Sequence, residues 1–276
     1  MQIRFEHSPK EVSRMTTAEL REAFLMDSLV KEDELTYIYS HYDRLITGGV
    51  KPVRQSVPLH LHEELRAEYF LERRELGIIN VAGDGTVIAD GVSYELPKQA
   101  CLYLGKGTKE VTFQSNDAAI PAVFFLLSSP AHQQYENRLM LKEDASPVNL
   151  GSQKTANKRT VYKYIHLDGI RSCQLVMGLT VLDQGSVWNS IPPHTHTRRT
   201  EVYFYFDVPE DQRVFHFMGE PQETRHIVMN NYDAVVSPPW SVHCGSGTAN
   251  YGFIWGMAGE NQVYSDMDPV AVSEMK

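Results

Sequence analysis

Two blocks of short β-rich runs, each run closed by a turn signal, constrain this chain more than any other feature. The first block starts near Tyr37 and holds YIYSHYDRLITGG, LGIINVAGDGTVIADG, CLYLGKGTKEVTF and AVFFLL. The second starts near Thr160 and holds TVYKYIHL, SCQLVMGLTVL, EVYFYFDV, RVFHFMG, HIVMN, DAVVSPP and YGFIWGM. Runs this short, rich in β-branched and aromatic residues and punctuated by GDG and ADG, pack as strands joined by tight turns. Many such strands at regular spacing predict a sandwich or barrel in each block. The polar stretch from 128 to 158 reads as a connector with one short helix at most. The one clear helix is TTAELREAFLM, where Thr16 and Glu19 form a capping box and Leu20, Ala23 and Phe24 share a face. The expectation is an all-β chain with halves at 1–150 and 151–276 and a short N-terminal helix outside both.

The halves read as copies of one another. LERRELGIINV matches HTRRTEVYFYF when Glu75 is set against Glu201, and QACLYLGKGTKEVTF matches DAVVSPPWSVHCGSG when Ala100 is set against Ala234. The second offset exceeds the first by eight residues, which one hairpin loop absorbs. In this alignment Glu68 and Phe70 stand where the second half has His194 and His196, and Lys109 stands where it has His243.

Composition narrows the function classes. A net charge of −9 gives no basic footprint for nucleic acid, though it leaves room for a small anionic substrate at a locally basic site. Three scattered cysteines, Cys101, Cys173 and Cys244, build neither a disulfide framework nor a CxxC zinc motif. That usage fits a reducing compartment. MQIRFEHSPK has no apolar signal core, and no run approaches the roughly 18–20 apolar residues of a membrane span. The expected location is cytoplasmic, with no membrane and no nucleic-acid partner.

The chemistry concentrates in IPPHTHTRRTEVYFYF. Residues two apart on a strand point to the same side, so His194 and His196 aim two imidazoles at one point. Glu201, after a turn through TRR, comes back to that point, and SPPWSV leads into His243 as a fourth donor. Three imidazoles and a carboxylate suit zinc, iron, nickel or manganese. A lone HxH is usually a chance pair on an exposed strand, but the glutamate at +5 and the later Pro-rich approach to a histidine outweigh that reading. A second HxH, His60 and His62 in PLHLHEE, lies ahead of the matching strand with no histidine at Lys109 to complete it, and reads as a solvated loop. His216 and His226 read as ordinary core or surface histidines. The Arg198–Arg199 and Arg73–Arg74 pairs read as structural ion pairs or subunit contacts.

The pattern resembles the cupin metal motifs: His-x-His, a short gap, Glu, and later Pro-x-Gly-x-x-His. Pro238, Trp240 and His243 match the second motif except that Trp240 stands where glycine is usual, and the asparagine usual after the last histidine is missing. Neither departure touches a ligand. Over nearly the whole chain the text resembles the 5-keto-4-deoxyuronate isomerases, the 4-deoxy-L-threo-5-hexosulose-uronate ketol-isomerases of pectin and uronate breakdown. The resemblance rests on PHTHTRRTEVYFYF, MGEPQETRHIVM, YSHYDRLITGG, FLERRELGIINV, LYLGKGTKEVTF, NKRTVYKYI and FIWGMAGENQVYSDMD. It implies a bicupin, two double-stranded β-helix (jelly-roll) barrels, one Zn2+ per chain held by the C-terminal half, and a homohexamer. It carries the zinc ligands onto His194, His196, Glu201 and His243, all present.

The implied substrate is 5-dehydro-4-deoxy-D-glucuronate and the product 3-deoxy-D-glycero-2,5-hexodiulosonate. An aldehyde at C1 and a hydroxyl at C2 exchange oxidation levels through a cis-enediolate, with a divalent metal as Lewis acid. A group must carry the proton between C2 and C1, and Glu201, Tyr203 and Lys163 are the candidates. The substrate carboxylate wants a guanidinium, for which Arg225 in QETRH is the candidate. Two rival readings are an iron-dependent cupin dioxygenase, which oxygen consumption reveals, and a non-catalytic sugar-binding cupin, which usually carries a DNA-binding domain.

Overall fold

A computed structural model of the chain describes residues 1–276. Its regular structure is mostly strand, and it divides into two compact units. The first comprises 1–4, 28–146 and 163–177, and the second 5–27, 147–162 and 178–276.

In the first unit a seven-stranded sheet runs in the order Gln2–Arg4, Thr36–Ser40, Ile46–Val50, Phe124–Pro130, Arg74–Asn80, Cys101–Leu104, Arg138–Met140. A four-stranded sheet, Val57–Pro58, Val111–Ser115, Gly85–Ala89 and Val92–Leu96, belongs to the same unit. The predicted ADG turn joins Gly85–Ala89 to Val92–Leu96 through Asp90 and Gly91, with φ of 47° and 81°. Both values lie in the left-handed region that a two-residue hairpin loop with native twist demands. Leu76, Ile78, Leu102, Phe113 and Phe124 fill the core.

The second unit repeats the plan. Its large sheet runs Val148–Leu150, Arg159–Ile165, Val176–Leu182, Gly252–Gly259, Arg199–Phe206, Ala234–Ser237, Leu25–Met26, and its small sheet Glu223–Met229, Val214–Glu220, Cys244–Gly247. The strands carrying Glu75 and Glu201 hold the same place in their sheets, as the internal repeat requires. One detail shifts: Ile78 pairs with Leu102 and Phe204 with Ala234. Leu102, not Ala100, is therefore the counterpart of Ala234 when Glu75 is set against Glu201.

The N-terminal helix is not outside both halves. It spans Thr17–Phe24, capped by Thr16 and Glu19 as expected, and it belongs to the second unit. It stops earlier than the sequence suggests because Leu25 and Met26 pair with Val235 and Ala234. Ladder bonds at a sheet edge outweigh the helical preference of two residues. The connector holds two 3-10 turns and two three-residue strands, Arg138–Met140 and Val148–Leu150, at sheet edges.

Candidate metal centre

The site is built on one face of the second unit's large sheet. On Arg199–Phe206, wholly buried, alternation turns Glu201 and Tyr203 to the same side. On the adjacent Gly252–Gly259 strand, Met257 and Trp255 pair directly opposite them. Next come Thr180, whose hydroxyl accepts a hydrogen bond from Trp255 Nε1 at 3.2 Å, and then Val161 and Arg159. Gly178 lets this wall close, since a Cβ there collides with the Trp255 ring and the Tyr162 carbonyl. The result is a cavity of about 240 Å³.

His194, His196, Glu201 and His243 meet at one end of it. Their ligand atoms lie within 4.8 Å of one another, and no other group of three or more His, Cys, Asp or Glu side chains gathers in this way. His194 sits on the two-residue strand His194–Thr195, paired with Asp268–Pro269. His243 immediately precedes Cys244–Gly247. Glu201 Oε2 is 2.9 Å from both His196 Nε2 and His243 Nε2, and the His194 and His243 Nε2 atoms are 3.0 Å apart. His196, Glu201 and His243 are each under 5% exposed.

The outer nitrogens set the tautomers. His196 Nδ1–H donates to the Asp266 carbonyl at 2.7 Å, and His243 Nδ1 pairs with Ser237 Oγ at 3.2 Å. Partners on the outer nitrogens turn the Nε2 lone pairs inward, which is how metal-binding histidines are held. Burial, then the His243 ring, pushes the His194 imidazole down to about 2. Burial pushes the Glu201 carboxyl up, but His243 and the hydrogen bonds from His196 and His243 together outweigh it and hold it well below its ordinary value. Two Nε2 atoms 3.0 Å apart can share a proton or a cation, and three imidazoles with one carboxylate form a donor set that suits a divalent first-row metal. The residues fit the metal.

Of the remaining candidates, Tyr203 lines the cavity, buried, with its hydroxyl 2.6 Å from Ser190 Oγ. Burial and the nearby Glu201 raise its phenol well above the ordinary value, so it stays protonated. Lys163 is half-buried, counted with the first unit, and does not line the cavity. Arg225 does not line it either: it lies on Glu223–Met229 and its guanidinium donates to the Ser13 carbonyl. His216 is buried against Tyr205, and His226 is exposed. His60 and His62 meet Tyr37 through tilted and edge-on ring contacts, and although Glu64 lies 3.7 Å from His62, they form no group of three converging donors.

Sequence reasoning missed two features. Arg159 and Tyr264 both line the cavity, and although each lies in a stretch shared with the resembled family, neither was singled out as a site residue. The arginine pair plays the structural role expected of it. Arg198 forms ion pairs with Asp266 and Asp268, while buried Arg199 donates to the Val263 and Asp266 carbonyls. Together they fasten the segment that brings Tyr264 and Met267 onto the cavity. The doubled arginine of THTRRTE was the available signal, since two adjacent cations beside a metal motif need anionic or carbonyl partners.

Comparison with known proteins places this geometry in context. A model of the KduI/IolB family matches residues 24–272. The chain is 53% identical to the 4-deoxy-L-threo-5-hexosulose-uronate ketol-isomerase of Shouchella clausii over 276 residues, all of both chains. It is 52% identical to the protein of that name from Formosa agariphila over 273 residues, 99% of this chain and 98% of the other. Among solved structures, an IolB-like protein from Salmonella typhimurium superposes with a TM-score of 0.70 at 15% identity, over 87% of this chain and 94% of that one. Oxalate decarboxylase of Bacillus subtilis, which carries Mn(II) centres, gives 0.55 at 11% identity over 83% and 71%. These two likenesses show the fold: each unit is a cupin barrel.

Proposed function

Because the chain belongs to the KduI/IolB family, we propose that it is a metal-dependent ketol-isomerase acting on 5-dehydro-4-deoxy-D-glucuronate. The product is 3-deoxy-D-glycero-2,5-hexodiulosonate, formed through a cis-enediolate. The metal is zinc, one per chain, held by His194, His196, Glu201 and His243. The enzyme works in the cytoplasm, in uronate and pectin breakdown, as a homohexamer. No helix is long and apolar enough to cross a membrane. The observation that carries the reading is the meeting of three imidazoles and a carboxylate at one end of a small cavity, in a chain so close to named isomerases along its whole length.

When bound, the metal supplies Lewis-acid stabilisation of the negative charge that develops on the two substrate oxygens. Zinc suits this because it has no redox chemistry of its own. The protein supplies the rest. Outer hydrogen bonds to Asp266 and Ser237 keep the imidazoles oriented. Trp255, Met257 and Tyr264 exclude water, which strengthens every charge interaction inside. Glu201 and Tyr203 are the acid–base candidates that line the cavity. The protonated Tyr203 phenol suits donation to a substrate oxygen, and Glu201 suits carrying the proton between C2 and C1.

The test is conversion of the keto-uronate followed by NMR, before and after chelation. Conversion by metal-free protein, verified by elemental analysis, refutes metal dependence. No conversion by the metal-loaded protein refutes the isomerase reading.

A further inference from the structure

A uronate isomerase must hold a carboxylate four carbons away from the carbons it works on. In a six-carbon acid the reacting aldehyde and hydroxyl sit at C1 and C2, and the carboxylate at C6. A cation for that group must therefore line the same cavity at a distance from the metal ligands.

The arginines and lysine nearest the site's sequence are already engaged. Arg198 is paired with two aspartates, Arg199 with two carbonyls, Arg225 with the Ser13 carbonyl, and Lys158 with Asp183 at 2.9 Å. Arg159 is different. Among the residues lining the cavity it is the one arginine, and no lysine joins it. Its Nη1 donates to the Asn157 carbonyl at 2.8 Å, and no carboxylate lies within ion-pair distance of it. Its other two nitrogens make no hydrogen bond within the protein. The walls around it include Val161, Phe253 and Trp255. A guanidinium half-buried among apolar groups without an anion bears a desolvation cost that a bound carboxylate relieves.

Sheet order sets the distance. The Arg159–Ile165 and Arg199–Phe206 strands are separated by Val176–Leu182 and Gly252–Gly259. Three strand spacings of about 4.8 Å place the two backbones roughly 14 Å apart. Arg159 and Glu201 both line the cavity, from opposite ends of that row of strands. We propose that Arg159 is the carboxylate anchor, and hence the residue that makes the cavity select a sugar acid over a neutral sugar. This rests on the isomerase reading for the identity of the substrate, but not for the selectivity itself.

The experiment uses full-length, metal-loaded protein and three variants, Arg159→Met, Arg159→Lys and Arg225→Met. Two stable probes, D-glucuronate and D-glucose, are titrated calorimetrically, and turnover of the keto-uronate is measured alongside. A paired guanidinium–carboxylate contact predicts that Arg159→Met weakens glucuronate binding and raises KM by about 10–100-fold. Glucose binding, metal content and thermal midpoint stay at wild-type values. Arg159→Lys, which keeps the charge but not the two-pronged geometry, falls between, and Arg225→Met leaves both probes unaffected. Equal loss of both probes in Arg159→Met, or wild-type glucuronate affinity in it, overturns the proposal. So does a loss confined to Arg225→Met. If wild-type protein fails to turn over the keto-uronate yet still prefers glucuronate through Arg159, the isomerase reading falls and the anchor stands.

Discussion

Replacing His243 with alanine, set beside replacing its partner Ser237, measures what the metal cluster contributes. His243 is 1% exposed, and its Nε2 lies 2.9 Å from Glu201 and 3.0 Å from His194. Its loss removes one of four donors. Ser237→Ala removes only the outer hydrogen bond at 3.2 Å. Partners of that outer kind typically cost about 10–100-fold in metal affinity or activity. Ser237→Ala is expected inside that range, and His243→Ala well beyond it, with metal absent from the purified protein. Metal bound only by the folded state also stabilises it. At a free concentration 100 times Kd the gain is about 2.7 kcal/mol. For a chain of this size each kcal/mol moves Tm by roughly 2–4 °C, so chelation should lower the wild-type Tm by about 5–10 °C. The assay is a thermal melt of each protein with and without chelator, beside elemental analysis and turnover. Wild type should shift fully, Ser237→Ala partly, and His243→Ala not at all. Full metal content and turnover in His243→Ala would refute the four-donor site. A chelator shift persisting in His243→Ala would show that a different group binds the ion.

Three further outcomes can be checked. Gly178→Ala drives a methyl into the Trp255 ring and should cost about 1–3 kcal/mol by overpacking, seen as a lower Tm with the metal retained. Asp33 accepts backbone N–H bonds from Val53 and Arg54 and pairs with the Arg54 guanidinium, which holds its carboxyl well below its ordinary value. A depressed carboxyl contributes stability that is present above its unfolded value near 3.9 and lost as the pH falls through the folded value. Asp33→Asn should therefore melt lower than wild type at pH 7, and the gap should narrow as acid is added below pH 4. Turnover in heavy water should place deuterium on C1 of the product; its absence would mean a base shielded from solvent or a direct hydride shift.

What the sequence disclosed and what it withheld divide along a physical line. Strands, hairpin turns and the helix cap were legible because alternation, Asp-Gly turns and the Thr16–Glu19 box act over a few residues. The internal repeat was legible for the same reason, taken twice. The short edge strands at 138–140 and 148–150 were not, because three polar or mixed residues become a strand only when a neighbour offers its ladder. The candidate His194–His196–Glu201–His243 cluster was legible through His-x-His and the glutamate that follows it. Arg159 was not, because its place in the same cavity as Glu201 is a consequence of sheet order: two intervening strands, one from nearly a hundred residues along the chain, set the distance. Arg225 lay in a distinctive motif, but that motif belongs to the small sheet and to the Ser13 carbonyl. Distinctive text marks a constraint without saying which constraint.

The stretch between the ligands makes the same point from inside the site. Four residues separate His196 from Glu201, and a metal motif needs only that they span a turn. Here two of them are arginines that hold the 261–268 segment through Asp266 and Asp268 side chains and the Val263 and Asp266 carbonyls. The Asp266 carbonyl that Arg199 reaches is also the acceptor for His196 Nδ1–H. Orientation of the His196 imidazole and the placing of Tyr264 and Met267 on the cavity are thus fixed by one set of bonds. The turn between the ligands thus does two things: it brings Glu201 back to the histidines, and it carries the two arginines that hold the segment.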